Sequence, residues 1–326
     1  MLQFLYGIGF HHGLRFYKYG QVTILCLHRI SEETDYFFEP IRPELFRKLL
    51  IYASKHYTVT TFAALDSIKS RKPLLILSFD DGYFDFVENA MPLLQEFRLP
   101  ANHNLINACL NGQFVIWTQR LNTIFNHLKQ SGINQDANIL ELTGYQLTAD
   151  NWHRYYLLVF RYLLGCSMEV KLQLINRLEQ RYGVQSNYRM INWAEAAELS
   201  KNNVEIGCHT YNHDSLQQIT DTLVLQQEIN ASKKELEQRL GLTIDVIALP
   251  NGQFSEKVIE HSQSAGFRYI LMPELNRPML QKVQKGFTAS LMPCTALHNE
   301  NLSAMILRIE GIQPIIKRLI GRKMEY

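Results

Sequence analysis

Two short segments gather the residues that could do chemistry. In the first, Leu74-Leu75-Ile76-Leu77-Ser78-Phe79-Asp80-Asp81-Gly82-Tyr83, an apolar run ends in two adjacent carboxylates and a glycine. At the end of a parallel strand such a pair can divide labour, one carboxylate binding a cation while its neighbour takes a proton from water. Asp-Asp-Gly also suits a turn or a helix N-cap, so this segment alone leaves both readings open. The second segment, Ile206-Gly207-Cys208-His209-Thr210-Tyr211-Asn212-His213-Asp214, follows another short apolar run. Its two histidines can bring both imidazoles to one cation, and imidazole with carboxylate suits zinc and other borderline divalent metals. If each segment closes a strand, Asp81, His209 and His213 supply three protein ligands and leave positions open for water and substrate.

The elements that would position these groups are legible as alternating patterns. Apolar runs at Val22–Leu27, Leu74–Phe79, Val204–Ile206, Ile244–Leu249 and Tyr269–Met272 are short enough to be strands buried on both faces. Between them lie helical patterns. Pro43 opens one, lined by Leu45, Leu49 and Leu50; another carries Leu225, Ile229, Ser232, Leu236 and Leu240 and meets a capping Gly241; a third runs from Glu256 to Ala265 before Gly266. Strands alternating with helices imply parallel βαβ units, in an open doubly wound sheet or a barrel; periodicity does not choose between them. From Trp117 to Tyr182 the alternation breaks into successive helical patterns. We expect one domain spanning 1–326, with a helical insertion at about 110–190 between two strands, placed where it could cover the site.

Bulk properties narrow the partners. The chain has 326 residues, 46% hydrophobic and 20% charged, enough to bury a large core, and its net charge of +2 gives no nucleic-acid footprint. Its five cysteines are scattered without a C-x-x-C pair, which argues for a reducing compartment. The N-terminal stretch lacks the layout of a secretory signal, and no run reaches the about 20 apolar residues of a membrane span. The aromatic and basic mix at the start, and again at Ile315–Lys323, leaves peripheral membrane contact open.

Together, Ser78-Phe79-Asp80-Asp81-Gly82 and His209-Thr210-Tyr211-Asn212-His213 resemble the two leading motifs of the polysaccharide deacetylase family, the chitooligosaccharide deacetylase homology group of carbohydrate esterases. The similarity in order and spacing runs from about Ile24 to Gly311. The resemblance implies a distorted (β/α) barrel of about seven parallel strands and one divalent metal ion, with zinc expected. It implies Asp80 as general base, Asp81, His209 and His213 as metal ligands, and Thr210 as a support for the histidine loop. Val246-Ile247-Ala248-Leu249-Pro250-Asn251-Gly252 resembles the family's oxyanion turn, which gives that role to the Asn251 amide. Many members carry an arginine where this chain has Ala248, so the base must be oriented otherwise.

The general acid is expected from His28. It lies in Cys26-Leu27-His28-Arg29-Ile30, which resembles a Y-H-R-V segment in members with circularly permuted motif order. His298 in Leu297-His298-Asn299-Glu300 competes for the role, and Cys294 in Met292-Pro293-Cys294 replaces the arginine of an L-P-R segment. Where relatives carry T-F-F, the chain has Asn102-His103-Asn104. Asn102 and Asn104 would bind sugar hydroxyls if their shared face points into the lumen, and would otherwise be paired polar residues; Tyr83 is a further candidate for substrate contact. Trp193 reads as packing at a helix start.

The resulting expectation is removal of N-acetyl groups from amino sugars of a polysaccharide, oligosaccharide or lipid-linked glycan precursor. The place would be the cytoplasm, at the inner face of the membrane, during surface-glycan synthesis. Two alternatives stand beside it: a deformylase or other amide hydrolase on a small molecule, and a catalytically impaired glycan-binding barrel, motivated by Ala248, Cys294 and the Asn-rich strand.

Overall fold

The computed structural model describes residues 18–112, 114–132, 151–274 and 284–312. Eight parallel strands are β1 (Val22–Leu27), β2 (Thr58–Val59), β3 (Leu74–Phe79), β4 (Ala101–Leu105), β5 (Val204–Cys208), β6 (Val246–Ala248), β7 (Tyr269–Pro273) and β8 (Ser290–Ala296). Their order is β1-β8-β7-β6-β5-β4-β3-β2, and β1 also pairs with β3 over six register pairs from Val22↔Leu74 to Leu27↔Phe79. Seven strands therefore close into a barrel. β2 lies outside the ring, against the start of β3 through Thr58↔Leu74 and Val59↔Leu75. The ring is distorted where β5 meets β6 through the single pair Cys208↔Ile247.

Closure explains why the strands read as continuous apolar runs. Alternate residues such as Ile24, Ile76, Val246, Ala248, Tyr269 and Leu271 pack inside with Phe62, while Leu25, Leu27, Leu75, Leu77 and Phe79 pack outward against helices. β8 was not among the expected strands, because Pro293, Ser290 and Thr295 interrupt its apolar signal. As an inner strand of a closed ring it pairs with β1 and β7 regardless.

The outer helices include α1 (Pro43–His56) and α2 (Met91–Phe97). α1 begins at Pro43 as expected and buries Phe46, Leu49, Leu50 and Ala53, with Leu45 only partly covered. Between β4 and β5 the chain inserts α3 (Trp117–Gln130), α4 (Trp152–Leu164) and α5 (Met168–Tyr182), which share a separate apolar cluster around Trp117, Phe125, Trp152 and Tyr155. α6 (Trp193–Ser200) follows, started by a reciprocal cap between Asn192 and Glu195. The helix expected through Leu225 and Leu240 is interrupted by a π turn at Gln227–Ala231 before α7 (Ser232–Leu240), which ends at Gly241 with φ 67°. α8 (Glu256–Ser264) and α9 (Leu302–Ile309) complete the outer layer.

No described helix is long and apolar enough to cross a membrane. The Ile315–Lys323 segment and nearly all of the N-terminal stretch read for membrane contact lie outside the described residues.

Candidate active site

Both chemical segments sit at the C-terminal mouth of the barrel, at the ends of β3 and β5. The chain turns sharply there: φ is 77° at Asp81, 65° at Thr210, 59° at His213 and 56° at Asn251. Left-handed backbone costs a non-glycine residue about 1–2 kcal/mol, so this end of the barrel stores strain that the surrounding packing must offset. Gly82, with φ 84°, continues the first turn; a Cβ there would stand 3.3 Å from Leu105 Cδ2.

The turns bring Asp81, His209 and His213 together. Asp81 Oδ1 lies 3.2 Å from His209 Nε2 and 3.3 Å from His213 Nε2. That oxygen is buried without a hydrogen-bond partner, so neither imidazole N–H is aligned on it. Ligands at about 2.0–2.1 Å around a tetrahedral zinc ion stand about 3.3 Å apart, and the three groups are spaced for a shared cation. His209 Nδ1 is 2.9 Å from the Ala248 carbonyl, which selects the Nδ1–H tautomer and frees Nε2 as a ligand. Burial opposes ionisation of Asp81, yet the two imidazoles hold its carboxyl well below the usual carboxylate range. Burial lowers the His213 pKa, whereas for His209 the opposing pull of Asp81 and Asp80 prevails and raises it. Thr210 Oγ1 accepts the His213 N–H at 3.2 Å, a contact within the histidine loop.

Asp80, on the barrel axis side of the same turn, is held by neutral groups. Asn104 Nδ2 donates to its Oδ1 at 2.6 Å, and Cys26 Sγ stands 3.4 Å from its Oδ2. Asn104 also donates to Ser78 Oγ at 3.0 Å, Ser78 donates to Asn102 Oδ1 at 2.7 Å, and Asn102 donates to the Glu205 carbonyl at 3.3 Å. This corrects the expectation of sugar contacts: Asn102 and Asn104 are wholly buried inside the barrel and paired with one another through Ser78. The ladder explains Gly207 on the facing strand, since a Cβ there would lie 2.0 Å from Asn104 Oδ1. Asn104 thus holds the Asp80 carboxylate, while the position where the resemblance expects an arginine is Ala248.

A cavity of about 770 Å³ opens above these groups, lined by Asp80, Asp81, His209, His213, His28 and Asn251 among others. His298 lines it as well, so both candidate acids face the same space. The His28 ring meets Phe38 edge-on, centroids 5.2 Å apart. Asn251 sits in the Pro250–Gly252 turn, its Nδ2 buried and unpartnered. Tyr83 lines the cavity but is 2% exposed and donates its hydroxyl to Gln119 Oε1 at 3.0 Å. Trp193 packs as expected, with the Arg239 guanidinium 4.6 Å over its ring.

The insertion both walls the cavity, through Tyr156, Leu157 and Phe160 of α4, and clamps the histidine loop. Lys171 of α5 is fully buried, with Nζ 2.6 Å from Asp214 Oδ1 and 3.0 Å from Ser215 Oγ. Trp117 Nε1 donates to the His213 carbonyl at 3.3 Å, and Lys171 lies 5.1 Å over the Trp117 ring. From the other side Glu228 accepts the Tyr211 and Asn212 N–H groups at 3.1 and 2.9 Å. Sequence reasoning missed Lys171. Its signal was a lysine on the stripe shared with Leu174, Ile175 and Leu178, where a charge is tolerated only with a buried partner.

Residues 160–270 match the family model described as polysaccharide deacetylase. No curated protein matches the chain in sequence. Among solved structures the chain is similar to the Streptococcus pyogenes deacetylase PplD in complex with acetate, at 15% identity and TM-score 0.55, covering 88% of this chain and 97% of that one. A polysaccharide deacetylase from Bacillus cereus matches at 15% identity and TM-score 0.55, covering 88% and 68% respectively. IcaB from Ammonifex degensii matches at 15% identity and TM-score 0.55, covering 89% and 97%. At these identities the likeness establishes the barrel fold.

Proposed function

We propose that the chain, whose residues 160–270 match the polysaccharide deacetylase family model, is a metal-dependent hydrolase of that family that removes N-acetyl groups from amino sugars. The observation that carries the reading is the buried, unpartnered Asp81 Oδ1 between two histidine Nε2 atoms. Asp81, His209 and His213 would hold one divalent ion, for which their donor set favours zinc. When bound, the ion supplies polarisation of the acetyl carbonyl and acidification of water.

The remaining work falls to this chain's own groups. Asp80 takes the proton from the attacking water on Oδ2, which holds only the weak Cys26 S–H donor while Oδ1 is engaged by the Asn104 amide at 2.6 Å. The Asn251 N–H donates to the oxygen that becomes negative as the carbonyl carbon turns tetrahedral. His28, which lines the same cavity, delivers a proton to the departing nitrogen. The grip of Asn104 on Asp80 supports activity over the impaired-barrel alternative. The substrate class includes polysaccharide, oligosaccharide and lipid-linked glycan precursors, handled in the cytoplasm at the inner face of the membrane for surface-glycan synthesis. The five cysteines, all unpaired, accord with that compartment.

The test is metal content of the protein beside a His209→Ala, His213→Ala double variant, with acetate release from N-acetylated oligosaccharides measured on the same samples. Stoichiometric metal lost in the variant, with metal-dependent acetate release, is expected. Metal without acetate release would move the reading to a deformylase or other amide hydrolase. A protein that takes up no metal even on reconstitution would overturn it.

A further inference from the structure

Beside the first donor set lies a second, of which the proposed hydrolysis uses Asp80 and His28 but leaves Cys26 without a role. Cys26 and His28 stand two residues apart on and just after β1, so both side chains turn toward the barrel interior. Asp80 ends the neighbouring strand β3, held in register by Leu27↔Phe79. One ligand atom from each of Cys26, His28 and Asp80 falls within 4.8 Å of the others. Cys26 Sγ and Asp80 Oδ2 are already 3.4 Å apart. Around a tetrahedral ion with a sulfur ligand at about 2.3 Å and an oxygen at about 2.1 Å, that edge measures about 3.6 Å. All three residues face the cavity, so an ion has an entry path and a free position for water.

We propose that Cys26, His28 and Asp80 form a second, thiophilic divalent-cation site, distinct from the Asp81, His209 and His213 set. The chemistry of the donors selects its occupant. A thiolate with an imidazole and a carboxylate prefers zinc, cobalt or copper over magnesium or calcium, which want oxygen ligands. Binding is balanced by release of the Cys26 thiol proton to solvent, the sulfur lone pair forming the new bond. The positions where relatives place an arginine are Ala248 and Cys294, and both residues line the same cavity.

Occupation would have a consequence that rests on the proposed hydrolysis. An ion there engages the lone pairs of both Asp80 and His28, the groups that take and give the reaction's protons. The first equivalent of thiophilic metal then activates the chain, and the second inhibits it. Acetate release should fall by about 100-fold or more as the second equivalent binds, the usual contribution of general acid–base catalysis.

The deciding experiment is a cobalt(II) titration of the full chain, followed by equilibrium dialysis and absorption spectroscopy. Wild-type protein should bind two equivalents, one of them accompanied by a thiolate-to-cobalt charge-transfer band. Cys26→Ala should bind one equivalent with no band, with Cys26→Ser as a second variant and circular dichroism confirming the fold of each. The His209→Ala, His213→Ala double variant should keep the equivalent that carries the band and lose the other. A folded wild-type chain with no band at saturating cobalt overturns the proposal, as does a band that survives Cys26→Ala. A band without the other equivalent would instead sink the first metal site and leave this one standing.

Discussion

Asp80 and Asp81 are neighbours in sequence with opposite surroundings. Asp81 is flanked by two imidazoles, while Asp80 is flanked by an amide and a thiol. In the proposed function it is this environment, not the residue type, that would separate ligand from base. A hydrogen bond to a charged group contributes about 1.5–3 kcal/mol. Asn104→Leu should therefore lower kcat by roughly 10–100-fold with KM and bound metal little changed, as measured by steady-state kinetics and metal analysis. Gly207→Ala should act in the same direction, because its Cβ would occupy the space of Asn104 Oδ1.

A second prediction at this scale concerns His103, on β4 between Phe79 and Phe86. It is wholly buried with both ring nitrogens unpartnered, and burial depresses its pKa to about 3 from the ordinary 6.5. The unfolded chain binds a proton there below pH 6.5 while the folded chain does not, so stability from this residue is complete above pH 6.5 and lost as pH falls toward 3. The loss approaches about 1.4 kcal/mol per pH unit. His103→Leu should flatten the stability-against-pH curve in that window, as read by urea unfolding at successive pH values.

At the scale of elements, the insertion holds the chemistry in place. Lys171 on α5 and Trp117 on α3 fasten the loop that carries His213, and the ion pair of Lys171 with Asp214 is buried. Removing one member of such a pair costs about 3–5 kcal/mol, because the remaining charge is left uncompensated. Lys171→Met should destabilise the chain by that order and weaken metal binding. Adding Asp214→Leu should restore most of the stability. Chemical unfolding and metal dialysis of the three variants check this, and stability unchanged in Lys171→Met would show that the clamp is not formed.

For the whole molecule, the barrel brings strands far apart in sequence to one mouth: β1 closes on β3 and β8, and β5 lies across from them. A cation bridging Asp81 after β3 with His209 and His213 after β5 ties two sides of the ring. Free metal at 100 times its Kd would stabilise the fold by about 2.7 kcal/mol. Thermal unfolding should show Tm rising by several degrees on metal addition and returning on chelation, with no rise in Asp81→Asn.

The sequence by itself determined the strand-helix alternation, the run of helices between β4 and β5 and the candidate ligand trio, because each depends on local signals: apolar runs, capping residues, and polar side chains grouped at strand ends. The likeness of S-F-D-D-G and H-T-Y-N-H to family motifs turned the open choice between sheet and barrel into an expected barrel. Tertiary structure alone decided what lies across the lumen. The face shared by Asn102 and Asn104 was predictable from strand alternation, but its partners come from Ser78 on β3 and Glu205 on β5. The same holds for Lys171 with Asp214 and for Cys26 with Asp80, whose sequence separations of 43 and 54 place them beyond any local pattern. A side chain's period fixes which way it points; only closure of the ring fixes what it meets.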